Sequence, residues 1–407
     1  MRGFPGGLRP NWLEVDLDIL AGNVVAMREA LDRRGGRPAK MAAVVKAEGY
    51  GHGAVPVALA ALEAGADLLA VAIPDEALAL REVGFDVQII VLGWTPPEMM
   101  ASLVRAGITP TVFDLDDARA LSRAAQEADR TTRVHVKLDT GMSRLGLPPG
   151  EEGKRAILEI AAMPGIEIEG LFTHFAVADE DPVFTRLQIR RYLDVCNRLA
   201  LAGLDVPVKH LCNSAGILDY PDVAMDMVRP GLMMYGVYPS PSVGRSVPVR
   251  PFLTWKTRIS QLRRLGPGDS VGYGRAFIAE EPCTVATLPV GYADGYPRGL
   301  SHGIGEVILR GVRCPVLGRV CMDQTMVRIP GGVDADPGEE IILMGSEAGE
   351  SMGVEEISRR LDTIAHEIFT RIGPRVPRML FRGEDLLGRA KLLDYGGTLG
   401  FPGGVNR

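Results

Sequence analysis

Between residues 41 and 229 the chain repeats one arrangement eight times: a short apolar run, then a stretch of good helix formers. The runs span 41–46, 68–73, 87–92, 109–113, 133–138, 166–173, 208–212 and 224–229. Near-continuous apolar runs of this length, bounded by turn residues, mark strands buried on both faces. The pieces between them, such as 74–83 and 116–128, are rich in Ala, Leu, Glu and Arg, which lose little freedom in a helix. Eight strand–helix units in about 190 residues predict a (β/α)8 barrel, with an open doubly wound sheet as the alternative. Upstream, 12–17 alternates apolar and acidic residues like a half-buried strand. Residues 18–34 then place Ile19, Leu20, Val24, Met27 and Leu31 at helical spacing.

The pattern changes after residue 240. A Pro/Ser/Gly stretch at 240–245 reads as a linker. Beyond it come short strands broken by Gly and Pro, at 253–265, 283–289, 305–309, 312–317, 326–329 and 340–344, and one helix at 354–372. That is the signature of a mainly-β domain, barrel-like or a sandwich. The expected division is a barrel domain at 1–240, whose first residues could associate with the second domain, a β-domain at 241–385, and a tail at 386–407. The tail holds the glycine pairs Gly396-Gly397 and Gly403-Gly404, as a frayed or interface segment would.

Charge and cysteine usage remove several function classes. A net charge of -6 argues against nucleic-acid or anionic-membrane partners. No run approaches the ~18 apolar residues of a membrane span, and no apolar signal core precedes Glu14. The five cysteines, Cys196, Cys212, Cys283, Cys314 and Cys321, are scattered, odd in number and without paired ligand spacing. Neither disulfides nor a metal site is expected, and a reducing cytoplasm fits best.

In a barrel, chemistry gathers at the C-terminal ends of the strands. Lys46 closes the first run, ahead of Gly-Tyr-Gly-His-Gly at 49–53. Its ammonium must find a partner or become neutral, and a neutral amine is what Schiff-base chemistry needs. The fifth run carries Lys137 and leads to Arg144; the sixth ends at His174; the seventh gives His210 and Asn213-Ser214; the eighth ends at Arg229. Alone, His174 or His210 reads as a hydrogen-bonded interior histidine. Five such exits at one mouth are hard to explain as structure. Ser214 and the Arg229–Leu232 turn lie where barrels commonly bind phosphate. A Schiff-base lysine facing a phosphate site points to pyridoxal 5'-phosphate. Tyrosines in Gly-flanked turns of the second domain, Tyr273 and Tyr292, are ordinarily exposed turn residues, and either needs a nearby cation to act as a base.

Several motifs are specific. They are AVVKAxxYGHG at 43–53, KLDTGMxRLG at 137–146, THFA at 173–176, NSA at 213–215, VRPG at 228–231, VGYG at 271–274, GYADGY at 291–296 and GRVCMDQ at 318–324. From about residue 12 to 378 the chain resembles the pyridoxal-phosphate-dependent alanine racemases, a fold-type-III family with a cofactor barrel and a C-terminal β-domain. The resemblance implies that Lys46 carries the cofactor and serves as one of two proton-transfer bases. Tyr273 is then the other, supplied by the partner subunit of a homodimer with shared active sites. Arg229 would face the pyridine nitrogen; Tyr50, Ser214, Gly231 and Leu232 would bind the phosphate; His174 and His366 would complete the cofactor's surroundings. Arg144 would touch the cofactor ring oxygen and, with Met322, the substrate carboxylate, and Tyr292 would line the entrance. Lys137 sits where family members often carry a carbamylated lysine. The implied role is supply of D-alanine for cell-wall peptidoglycan.

One position departs from the family pattern. His366 stands where family members usually have a tyrosine, and an imidazole is shorter and titrates near neutrality. This keeps open a racemase of serine, lysine or broader specificity. A pyridoxal-phosphate decarboxylase is the more distant alternative, and Arg229 argues against it because an acid at that place would strengthen the electron sink.

Overall fold

The computed structural model describes residues 9–33, 38–390 and 392–393. Strand β1 (Asn11–Asp16) leads into the helix Leu17–Asp32, capped by the Asp16 carboxylate, which accepts from the Asp18 and Ile19 N–H groups. There follow β2 (Lys40–Val44), β3 (Leu68–Val71), β4 (Ile89–Val91), β5 (Thr109–Val112), β6 (Thr132–Lys137), β7 (Ile166–Phe172), β8 (Val208–His210) and β9 (Met227–Val228). These eight form one parallel sheet in chain order, with β9 paired back onto β2. Between β8 and β9 the Asp226 N–H donates to the Lys209 carbonyl at 3.1 Å and the Arg229 N–H to Cys212 at 2.9 Å. The ring therefore closes as a barrel, and the open-sheet alternative falls. Every residue of β3 and β4 is buried. Packing on both faces is why these strands read as unbroken apolar runs.

The second domain is built on an eleven-stranded sheet. Some of its strands alternate instead, as Leu253–Arg258 and Thr325–Ile329 do, where every second residue is buried, while β1 is buried along nearly its whole length. One packed face and one wetter face produce that period of two. β1 belongs to this sheet, lying antiparallel to Leu253–Arg258 and parallel to Arg378–Arg382. A hairpin partner, Asp385–Arg389, follows, so residues 386–389 are strand, whereas the tail's glycine pairs lie outside the described residues.

Two expectations need correction. The run 253–265 is two strands, Leu253–Arg258 and Gln261–Leu265. The first pairs with β1 and Glu340–Glu347, the second with Cys283–Leu288, and the chain turns a corner at Ile259-Ser260 to change partners. The helix at 354–372 is also two, Val354–Arg360 and Ala365–Thr370. Asp362 takes a left-handed φ of 51° between them, and the Thr363 hydroxyl donates to Glu367. Short polar side chains that compete with the helical backbone make such a break, and it sets His366 in the first turn of the new helix.

Candidate active site

The first barrel strand stops at Val44, two residues earlier than its apolar run suggests, and Lys46 opens a tight turn. Ala47, Glu48, Gly49 and Tyr50 all have φ between 50° and 56°. Left-handed backbone costs residues with a Cβ roughly 1–2 kcal/mol each. The surroundings offset this strain. Glu76 accepts from the Ala47 N–H, Arg378 donates to the Gly51 carbonyl at 3.0 Å, and Tyr235 donates to the Val44 carbonyl at 3.0 Å. Burial lowers the Lys46 pKa, with Arg144 adding to the shift and Glu76 opposing it. The amine is thus biased toward the neutral, nucleophilic form.

Tyr50 is buried by the same turn and stacked on Tyr235 at 4.4 Å between centroids. Its hydroxyl has no hydrogen-bond partner among the described residues. A Cβ on Gly231 would lie 2.7 Å from that oxygen, so the approach is open only to glycine. Ser214 Oγ accepts from the N–H groups of Gly231 at 3.1 Å and Met233 at 3.2 Å, leaving its own proton to donate. Between those two, the Leu232 N–H meets no acceptor among the described residues. His366 joins this group with its ring 5.5 Å from Tyr50, and its buried Nδ1 has no partner among the described residues. Burial, then Lys46, lowers its pKa.

Arg229 is buried on the other side of the mouth. Nη1 donates to His210 Nδ1 at 2.7 Å and to the His210 carbonyl at 3.2 Å. Nη2 donates to the carbonyls of Thr173 at 2.9 Å and Leu211 at 3.0 Å. All four Nη hydrogens are committed, and Nε–H alone has no acceptor among the described residues. Burial brings the arginine down to about 10 and His210 well below its ordinary value, Arg229 adding to the latter. His174 is likewise lowered, by burial and then by Arg229, Lys137, Arg144 and Lys46, which places all five in one electrostatic neighbourhood. Lys137 is buried at the end of β6 and falls to about 7 through burial, Arg144 and Arg229. Asp139 orders the loop leading to Arg144 by accepting from the N–H groups of Gly141, Met142 and Ser143 at 2.9–3.0 Å.

Tyr273, Tyr292 and Met322 form a separate group on the β-domain. They are 71%, 42% and 53% exposed. Tyr273 and Met322 line a cleft of about 550 Å³ with Gly272, Cys321 and Met326. Tyr292 is tied to the same loop because its N–H donates to the Cys321 carbonyl at 3.1 Å. No hydrogen bond, ring contact or charge interaction among the described residues joins this group to Lys46, Tyr50 or Arg229. His52 lies in neither group. It is packed among Tyr235, Phe252 and Phe369 with Nδ1 on the Tyr50 carbonyl, and burial takes it to about 3.

Glu76, Asp139, His135 and Glu169 shape the site without standing out in the sequence. Asp139 alone carried a signal there, within the 137–146 motif.

A closed parallel barrel whose mouth gathers lysines, a buried arginine and uncommitted N–H and O–H donors, joined to a mainly-β domain, defines a barrel enzyme with its polar site at the C-terminal ends of the strands. Residues 15–239 match the family model of the alanine racemase N-terminal domain, and 252–380 that of the C-terminal domain. Relatives include alanine racemases of Clostridium tetani, 41% identical over 94% of this chain and 98% of that one, and of Symbiobacterium thermophilum, 44% identical over 93% and 98%. The solved alanine racemase of Clostridium difficile superposes with a TM-score of 0.88 at 37% identity, covering 93% of this chain and 98% of that one. This chain belongs to the alanine racemase family. A histidine racemase from Leuconostoc mesenteroides has the same architecture, with a TM-score of 0.83 at 26% identity over 94% of this chain and all of that one. No helix among the described residues is long and apolar enough to cross a membrane.

Proposed function

We propose that the protein interconverts L- and D-alanine with pyridoxal 5'-phosphate, as a cytoplasmic homodimer that shares its active sites. The observation that carries this reading is the set of uncommitted groups at the barrel mouth. The Tyr50 hydroxyl stands beside Gly231, Ser214 Oγ keeps its own proton to donate, and the Leu232 N–H is uncommitted among the described residues, a donor set suited to phosphate, with the His366 ring packed on Tyr50. Arg229 Nε–H suits a ring nitrogen that accepts, and the amine of Lys46 suits condensation with an aldehyde.

When bound, the cofactor delocalises the electron pair left at the substrate Cα. Inverting that carbon requires removing a proton from one face and returning one to the other. Lys46 serves the first face, and the partner subunit's Tyr273 the second. Arg144 and the partner's Met322, through its backbone, hold the substrate carboxylate, while the partner's Tyr292 narrows the entrance. A guanidinium donates a hydrogen bond without giving up its proton, so Arg229 moderates electron withdrawal and disfavours side reactions.

The test is a substrate panel of alanine, serine, lysine and histidine, run on wild type and His366→Tyr. Alanine should give the highest kcat/KM. A higher value for another amino acid in wild type overturns the alanine assignment and reassigns the chain within the same scaffold.

A further inference from the structure

Behind Arg229 a column of polar side chains crosses the barrel interior. His210 Nε2 lies 2.8 Å from His135 Nδ1, and His135 Nε2 lies 3.2 Å from Glu169 Oε2. Arg133 Nη1 donates to Glu169 Oε1 at 3.1 Å, and Gln88 donates to Oε2. Both imidazoles are buried, and the fold makes room for the second one. Gly170 is the β7 residue paired with His135, and a Cβ there would lie 2.4 Å from His135 Nδ1. The β6–β7 ladder also shifts register between Val134 and His135.

The direction of this column follows from donor inventories. Arginine only donates, so His210 Nδ1 must accept and the His210 proton sits on Nε2. That N–H donates to His135 Nδ1, which puts the His135 proton on Nε2, where the Glu169 carboxylate accepts it. Every link agrees with both imidazoles being neutral, the form burial favours. The opposite tautomer of His210 would set an N–H against the Arg229 Nη1–H. The guanidinium would have to turn, and its one uncommitted donor, Nε–H, would turn with it.

We propose that Glu169 and His135 are positioning residues: they fix the His210 tautomer, and through it the aim of Arg229 Nε–H at the cofactor ring nitrogen. The part concerning the cofactor rests on the function proposed above; the tautomer column is a property of the protein alone.

The test uses full-length protein with 15N-labelled imidazoles, first free of cofactor and then loaded. In wild type, His210 and His135 should both appear neutral with bare Nδ1 and protonated Nε2. Glu169→Ala and His135→Leu should mix the His210 tautomers, whereas Glu169→Gln, which keeps an acceptor oxygen, should retain the wild-type pattern. After loading with pyridoxal 5'-phosphate, the first two variants should lose roughly tenfold in kcat, as outer-shell partners commonly do, with KM for alanine unchanged and the visible cofactor band shifted. A protonated Nδ1 on His210 in wild type, or unchanged His210 tautomers in both disruptive variants, overturns the column. Mixed tautomers with unchanged kcat and cofactor band overturn its link to Arg229. If wild type racemises nothing, the function proposed above fails, and the spectra of the cofactor-free protein still decide the column.

Discussion

The Glu76 carboxylate accepts a hydrogen bond from the Ala47 N–H at 2.5 Å, reaching from the helix after β3 to the strained turn that carries Lys46. Its other oxygen accepts from the N–H groups of Ala72 at 2.7 Å and Ile73 at 3.3 Å. One buried side chain thus serves three donors and holds two neighbouring strand exits in register.

Glu76→Ala would leave those donors without partners, and an unsatisfied buried group costs about 1–3 kcal/mol. Urea unfolding should show a loss on the order of 3 kcal/mol, allowing for water entering the space. Glu76→Gln should lose less, because it keeps one acceptor oxygen. An alanine variant as stable as wild type would mean that the left-handed turn holds itself.

Gly231→Ala tests the phosphate cradle. The added Cβ would stand 2.7 Å from the Tyr50 hydroxyl oxygen and must push it aside. Pyridoxal phosphate affinity should fall at least about tenfold, equivalent to about 1.4 kcal/mol. Tyr50→Phe should weaken binding through the same contact, so the double mutant should lose less than the sum of the singles. Strict additivity, measured by cofactor titration, would separate Gly231 from Tyr50.

What the sequence revealed follows from where each partner lies. The barrel strands were legible because burial on both faces leaves a continuous apolar signal, and the loops proposed to bind phosphate because Ser214 and Gly231 closely follow such strands. The turn after Lys46 was not. Gly49 and Gly51 announce a loop, but Ala47 and Glu48 adopt positive φ against their own preference, held by contacts from distant elements. Glu76 and Glu169 were not singled out in the sequence, where they are single charges within a helical stretch and a strand run. Their partners Ala47 and His135 are 29 and 34 residues away, beyond any local pattern. The corner at Ile259-Ser260 leaves only a faint mark: the apolar positions change phase between Ile259 and Leu262, while no Gly or Pro interrupts the run.

Lys137 should make stability depend on pH with a predictable sign. Its pKa falls from the ordinary lysine value of 10.5 to about 7 in the fold, so folding disfavours the charged form. The resulting cost is absent above pH 10.5, grows as the pH falls, and is complete below about 7. Lys137→Met should therefore gain stability relative to the free-amine protein at pH 6, with the difference shrinking at pH 10. The neutral amine at pH 8 is also the form that adds CO2: its lone pair bonds to carbon, one proton goes to solvent, and a carbamate faces Arg144. Intact mass in bicarbonate should show one added CO2, and stripping CO2 should lower activity reversibly. Unmodified mass with full activity would leave Lys137 as a plain amine.

The two groups of site residues should meet only between subunits. Tyr273 is 71% exposed and has no interaction with Lys46 of its own chain, yet inversion at Cα needs a group on each face. Lys46→Ala should lose the visible absorbance of the bound cofactor together with activity. Tyr273→Phe should keep the cofactor and lose proton exchange on one face. Random exchange of the two variants makes half of the dimers mixed, and each mixed dimer has one intact site of two. Activity should then recover to about a quarter of wild type. Differently tagged chains would verify the exchange. Activity no higher than the mean of the separate variants, with exchange verified, would show that each chain completes its own site and that the β-domain must swing over its own barrel mouth.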